Sequence, residues 1–464
     1  MTRPVRSSPR VWPRLVLWLA LLLAGALAVQ RLAILQLSSC RYRAPAFPAP
    51  VSEANVPPLG VNVALQQYGH EELGPLLSGL ADDGFVWIRQ TFYWRWIEPQ
   101  PGRADWRETD RLVTAVATHP TLRLVAVIDE HSPAAASFPD GFAAFAGAFA
   151  ARYRGLIDYY QIWDEPNLAD RWAGAANPAA YADLLSRAAL AIRAADPDAR
   201  ILLAGLAPTV ETGPLNISEV LYLEQLYEAG AAPYFDIVAA KPYGFRTGPE
   251  DRRVDGSILN FSRVLLLREV MERHGDAGKA LWASQWGWNA LPQEWEGDPS
   301  IWGETDEATQ AVRTAAALER ARLEWPWMGA MILEHLQPAV DARDAHWGFA
   351  LLTPGGQPRP VHSAAAAWAR GLAEAASPGG HPAHSEWAAY DDGWRVGPLG
   401  ADCGPDGSRA SFRFDGTAVA ITVRRGTYPG FLYVTIDGEP AGSLPQDQSG
   451  RSYVVLYGSG PALD

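Results

Sequence analysis

Two adjacent acids, Asp164 and Glu165, close the apolar and aromatic run Tyr159-Tyr160-Gln161-Ile162-Trp163 and are followed at once by Pro166 and Asn167. The run reads as a buried strand. Proline cannot continue a ladder and restricts the residue before it, which puts Glu165 at the strand's carboxyl end, facing a crevice. Carboxyl groups in such a place are costly to desolvate, and groups kept there are often functional. The competing interpretation is a solvated pair of strand-end carboxylates. What surrounds the pair decides between them.

Short β-rich runs recur along the middle of the chain: 59–65, 85–94, 122–129, 159–163, 200–206, 235–242, 280–286 and 327–335. Alanine- and leucine-rich stretches with helical character separate them, and the last, 362–375, follows the eighth run. Eight strand–helix repeats predict an α/β fold, a (β/α)8 TIM barrel over 59–376, in preference to a doubly wound open sheet. A barrel works at the carboxyl ends of its strands. Those ends carry Arg89, Asp129, Glu130, Asp164, Glu165, Lys241, Tyr243, Gln285 and Glu334. So many polar groups on one rim outweigh the solvated-pair interpretation.

Composition narrows the partners. Residues 1–43 hold seven arginines and no acid, so the formal −13 of the whole chain becomes −20 for the remainder once those seven are set aside. That acidity argues against nucleic acid and against anionic membrane surfaces as partners of the body. The two cysteines, Cys40 and Cys403, are too few for a disulfide framework or a metal cluster, and no metal or cofactor is indicated. Lys241 and Lys279 are the only lysines in a chain that otherwise uses arginine.

Arg3, Arg6, Arg10 and Arg14 precede an apolar run from Leu15 to Val29 that resumes after Arg31. Residues 1–40 are therefore expected to be a membrane anchor with its amino end in the cytoplasm, or a cleaved or lipidated signal segment. Either exports the body, leaving it membrane-anchored outside the cytoplasm or secreted. Residues 41–58 read as a proline-rich linker and 377–385 as a second one. Beyond it, period-two runs and the turn signal Asp437-Gly438 predict a small β-sandwich accessory module over 386–464.

The strand ends resemble those of clan A glycoside hydrolases, the cellulase- and β-xylosidase-like barrels. The resemblance rests on Trp96-Ile97-Glu98-Pro99 after strand two, Trp163-Asp164-Glu165-Pro166-Asn167 after strand four, Lys241-Pro242-Tyr243-Gly244 after strand six and Trp282-Ala283-Ser284-Gln285-Trp286-Gly287-Trp288 at strand seven. It implies hydrolysis of O-glycosidic bonds in poly- or oligosaccharide, with Glu165 as general acid/base and Arg89 orienting the residue at the nucleophile position. That position holds Gln285, whose amide cannot form a glycosyl ester. Asp164 stands where the clan has Asn, and Lys241 where it has His. An Asp164–Lys241 charge pair is expected to follow from these changes.

Three readings of the altered site follow. Another carboxylate, Glu130 or Glu334, supplies the missing charge; or, by analogy with hexosaminidases, Asp164 and Glu165 run a substrate-assisted hydrolysis of N-acetylhexosaminides. Alternatively the barrel binds glycans without turnover, with Arg89, Lys241 and Tyr243 contacting sugar and Trp172, Trp286, Trp288 and Trp347 as stacking faces. The third reading is an anchored scaffold with no carbohydrate role.

Overall fold

The computed structural model describes residues 51–130 and 139–372 except 173 and 293, with residue 376 and most of 381–458. The expected anchor or signal segment and most of the first linker lie outside the described residues. Among those described, no helix is long and apolar enough to cross a membrane.

Eight parallel strands close into a barrel in chain order: β1 (Leu59–Val63), β2 (Trp87–Tyr93), β3 (Arg123–Asp129), β4 (Tyr159–Ile162), β5 (Arg200–Leu202), β6 (Ile237–Ala240), β7 (Ala280–Trp286) and β8 (Met328–Leu333). The main helix after each strand is, in turn, α1 (His70–Asp82), α2 (Arg107–Ala117), α3 (Pro139–Tyr153), α4 (Pro178–Ala195), α5 (Glu219–Glu228), α6 (Val264–Arg273), α7 (Glu307–Glu324) and α8 (Pro360–Leu372). The TIM barrel read from the sequence is the fold observed. Strands β5 and β6 are shorter than expected because their ladder is reduced to one Cα pair, Leu202 with Ile237, plus an isolated bridge from Leu206 to Ala240.

Local sequence starts the helices. Asn177 caps α4, accepting the Ala180 N–H at 3.0 Å with Pro178 in the first turn, and Asp306 caps α7 by accepting the Thr309 N–H at 2.8 Å. Along the strands, side chains alternate between two cores. Trp87, Val125, Tyr159, Leu202, Ile237, Ala280, Trp282, Ala330 and Ile332 fill the barrel, and residues of the other parity pack under the helices.

The end of the barrel away from the strand carboxyl termini is sealed by residues 51–57, which the sequence had suggested were linker. Val51, Ala54 and Val56 pack on the inner core. The Glu53 carbonyl accepts the Trp282 indole N–H at 2.8 Å, and the Pro57 carbonyl accepts that of Trp87 at 2.6 Å. The Glu53 carboxylate meets Arg200 at 2.9 Å and the Tyr159 hydroxyl at 2.9 Å. Large aromatics at the strand starts brought buried indole donors with them, and only a returning backbone could satisfy them.

After the barrel come β9 (Ala388–Tyr390), β10 (Trp394–Gly397), β11 (Gly400–Cys403), β12 (Ala410–Phe412), β13 (Ala418–Arg425), β14 (Phe431–Ile436), β15 (Glu439–Pro445) and β16 (Gly450–Gly458). They form four separate antiparallel pairs, β9–β12, β10–β11, β13–β16 and β14–β15. Strands β9–β12 belong to the compact unit that contains the barrel, Ala49–Gly416, whereas β13–β16 fall in a second unit. The first group is tied on by the Ala376 N–H, which donates to the Arg413 carbonyl at 3.0 Å, and by that of Arg413, which donates to Trp387 at 2.9 Å.

Candidate active site

Steps of two from the inner core carry polar side chains to the mouth. Arg89 follows Trp87, Asp129 follows Val125 and Val127, Gln161 follows Tyr159, Lys241 follows Ile237 and Ala239, and Glu334 follows Ile332. Two departures from alternation complete the site. Trp163 and Glu165 take left-handed backbone, φ 67° and 54°, which buries the Trp163 ring outside the barrel and brings Asp164 beside Gln161. Non-glycine residues in that region are strained, and strain of this kind gathers at functional sites. In β7 the register against β8 shifts between Ala283 and Trp286, and this bulge re-aims Gln285 toward Glu334.

The first half of the mouth is an ionic cluster. Lys241, whose side chain is 1% exposed, donates from one ammonium to Asp164 Oδ2 at 2.8 Å and to Glu165 Oε1 at 2.7 Å. Asp164 and Lys241 thus face each other as the sequence suggested. Arg89 reaches Asp164 Oδ1 at 3.0 Å and is itself held by Gln161 and Asn62. Burial works against charge on Asp164, but Lys241 and Arg89 outweigh it, with hydrogen bonds from Lys241 and Gln161, and hold its carboxyl below the usual range. Arg171 lies 3.4 Å from the other oxygen of Glu165. Close packing fixes the cluster: a Cβ on Gly205 would stand 2.7 Å from Ser284 Oγ and 2.9 Å from Asp164 Oδ1. Asn167 pins the following loop by exchanging hydrogen bonds with the Ala207 backbone at 2.8 and 2.9 Å.

The second half is neutral except for one carboxylate. Glu334 accepts the Tyr243 hydroxyl at 2.6 Å and the Gln285 amide N–H at 3.1 Å, and His335 Nε2 lies 3.6 Å away. Burial and the charge of Glu334 push the Tyr243 hydroxyl well above its ordinary range, so it serves as a donor. Burial, His346, Arg89 and Lys241 lower the His335 imidazole to about 3, and it stays neutral. Gln285 Oε1 is buried and has no hydrogen-bond partner among the described residues.

Several expected residues are placed elsewhere. Glu130 is one step out of phase with Asp129 and points away from the mouth; it is buried, accepting the Arg95 N–H at 3.0 Å. A one-residue step moves a side chain to the other face of a strand. Trp172, Trp286 and Trp288 are buried and do not offer stacking faces. Trp172 packs edge-on against Trp163, and Trp286 and Trp288 pack with Phe261. Trp347 is half-buried between β8 and α8. Both oxygens of Asp164 already take donors from Arg89, Gln161 and Lys241, which works against its holding an N-acetyl group.

Two residues went unassigned in the sequence. Trp96, 64% exposed, packs its ring 4.5 Å from that of Tyr93 at the end of β2, the two planes tilted by 56°. It sits in the Trp-Ile-Glu-Pro segment already singled out, and its place just after a strand was the available signal. Asp129 stands on the rim with no motif to mark a role; counting by twos from Val125 turns it inward.

No family model matches the chain, and no curated protein matches it. Among solved structures it is similar to a family 39 glycoside hydrolase from the gut symbiont Bacteroides cellulosilyticus WH2, at 16% identity and TM-score 0.53, over 86% of this chain and 81% of that one. It is also similar to GH5_18 from Streptomyces cattleya, solved with GlcNAc, at 15% identity and TM-score 0.52, over 71% and 83%. A glucosidase from Croceicoccus marinus matches at 13% identity and TM-score 0.51, over 87% and 94%. These likenesses show a shared barrel fold.

Proposed function

We propose that this protein hydrolyses O-glycosidic bonds of poly- or oligosaccharide at the carboxyl ends of its barrel strands. The observation that carries the reading is a pair of carboxyl side chains on opposing walls. Strands β4 and β8 stand four apart in a closed ring of eight, one followed by Glu165 and the other by Glu334. Glycosidases place a glycosidic bond between two such groups. Glu165 acts as the acid/base. Glu334, oriented by Tyr243 and Gln285, supplies the negative charge that Gln285 does not, facing the anomeric carbon as it becomes cationic. The free Gln285 oxygen accepts a sugar hydroxyl, and Trp96 with Tyr93 offers a ring face for an outer sugar. The apolar run at 15–37 supports a place outside the cytoplasm, which a periplasmic or surface reporter fusion would check.

The test is turnover of a panel of aryl glycosides. Glu165→Gln and Glu334→Gln should each lower kcat by about 10²-fold or more, and the anomer first released, read by NMR, assigns retention or inversion. A second reading, glycan binding without turnover, is favoured by the two cations that occupy the Glu165 oxygens. It predicts calorimetric sugar binding by a wild type that cleaves nothing, with hydrolysis appearing in Gln285→Glu.

A further inference from the structure

Asp129 differs from every other carboxyl group around the mouth. Asp164 is paired with Arg89 and Lys241, Glu165 with Lys241 and Arg171, and Glu130 with Arg95. Glu334 takes a hydroxyl and an amide. Asp129 points inward beside Tyr93, its register partner on β2, and keeps part of its surface open. Its one hydrogen bond among the described residues comes from the Glu130 N–H, at 2.8 Å. The Trp163 N–H donates to the Ile128 carbonyl at 2.8 Å, so Asp129 stands directly beside the turn carrying Asp164 and Glu165. An inward carboxyl with no ion pair among the described residues, next to a carboxylate that has two, is where a proton in this cluster will reside.

We propose that Asp129 is a second catalytic acid of this site, carrying the proton that goes to the leaving oxygen of a bound glycoside. The inference rests on the hydrolytic reading and divides the acid/base role between two residues. In the first half, the Asp129 O–H bond breaks as its proton moves to the glycosidic oxygen, and that oxygen keeps the electron pair of the severed C–O bond. Water then supplies hydroxide to the anomeric carbon; Glu165 takes the remaining proton and returns it to Asp129, so the sum is glycoside plus water giving two hydroxyl compounds. The charge distribution agrees. Burial, and then Asp164, push the Asp129 carboxyl well above the ordinary range, against smaller opposing effects of the Glu130 N–H, Arg171 and Arg89. The groups facing it are Arg89 and Tyr93 from β2, Asp164 from the turn after β4, Arg171 from the short helix Ala169–Trp172, and Tyr181 from α4. Tyr93 is itself pushed up to about 12 by burial, Asp129 and Asp164, and so stays neutral.

Two measurements on the purified full chain test this. Infrared difference spectra across a pH titration should show the carbonyl stretch of a protonated carboxyl persisting at pH 7, absent in Asp129→Asn and present in Glu165→Gln. Its absence in wild type, or its persistence in Asp129→Asn, overturns the assignment whether or not any glycoside is cleaved. The second measurement compares leaving groups. Asp129→Asn should lose about 10²-fold in kcat on alkyl glycosides and at least tenfold less than that on dinitrophenyl glycosides, which need little protonation. Equal losses on both overturn the catalytic role. The wild-type titration stands even where the variant fails to fold, and a wild type that cleaves no glycoside refutes the hydrolytic reading separately.

Discussion

Lys241 is the residue on which the mouth depends, because one buried ammonium neutralises two adjacent carboxylates. Replacing it with Met leaves Asp164 to Arg89 and Glu165 to the half-exposed Arg171. Breaking a buried pair from one side costs on the order of 3–5 kcal/mol, and urea unfolding of Lys241→Met should show a loss near the lower end, since both acids keep one cation. Acid titration separates the two aspartates. The Asp164 carboxyl is held below its unfolded value, so the stability it contributes is present above about pH 4 and is lost as the pH falls. Asp129 has the opposite sign: the native state keeps its proton after the unfolded chain has released it, and stability falls as pH rises above about 4. Asp129→Asn should therefore flatten the decline of stability between pH 4 and neutrality, while Asp164→Asn should flatten the loss at lower pH. Trp96→Ala should leave the melting temperature within about a degree or two, as surface changes do, yet weaken oligosaccharide binding about tenfold by calorimetry. The positions of Glu165 after β4, Gln285 next to the last residue of β7 and Lys241 after β6 were legible in the sequence because each lies at a strand's end beside a proline or an aromatic residue. The stacking tryptophans were not, because an indole serves packing and sugar binding equally well and only burial tells them apart.

The elements carry out this placement through their irregularities as much as through their regularity. Counting by twos along β2, β3, β6 and β8 assigns Arg89, Asp129, Lys241 and Glu334 to the mouth and sends Glu130 away from it. At β4 and β7 the count fails, since left-handed residues at Trp163 and Glu165 and the bulge before Trp286 each shift the phase. Neither has a signature in the residue types, because Trp and Glu are not residues that favour positive φ. This is the part of the site that the sequence concealed. Gly205, between β5 and β6, is the element-scale control. Gly205→Ala would press a methyl group into Ser284, Asp164 and Lys241, at a cost of about 1–3 kcal/mol, and the displaced Asp164 should lower any turnover further than the stability loss explains. Thermal unfolding and kcat measured on the same sample would check that.

At the scale of the whole molecule, the closed ring of eight strands was readable from the spacing of its apolar runs, and the solved barrels it resembles agree in fold at 13–16% identity. Its lower seal was not readable, because Val51 to Pro57 has the composition of a linker and acquires structure only from the indoles it caps. A chain beginning at Leu59 would orphan the Trp87 and Trp282 donors, each worth about 1–3 kcal/mol when unsatisfied, and should unfold at clearly lower denaturant concentration than one beginning at Val51. The same seal has a practical meaning for handling the protein. Because residues 51–57 lie across the closed base, a small label attached at residue 51 stands at the pole opposite the strand carboxyl ends. Such a label should report the opening of the base during unfolding without touching Glu165 or Glu334.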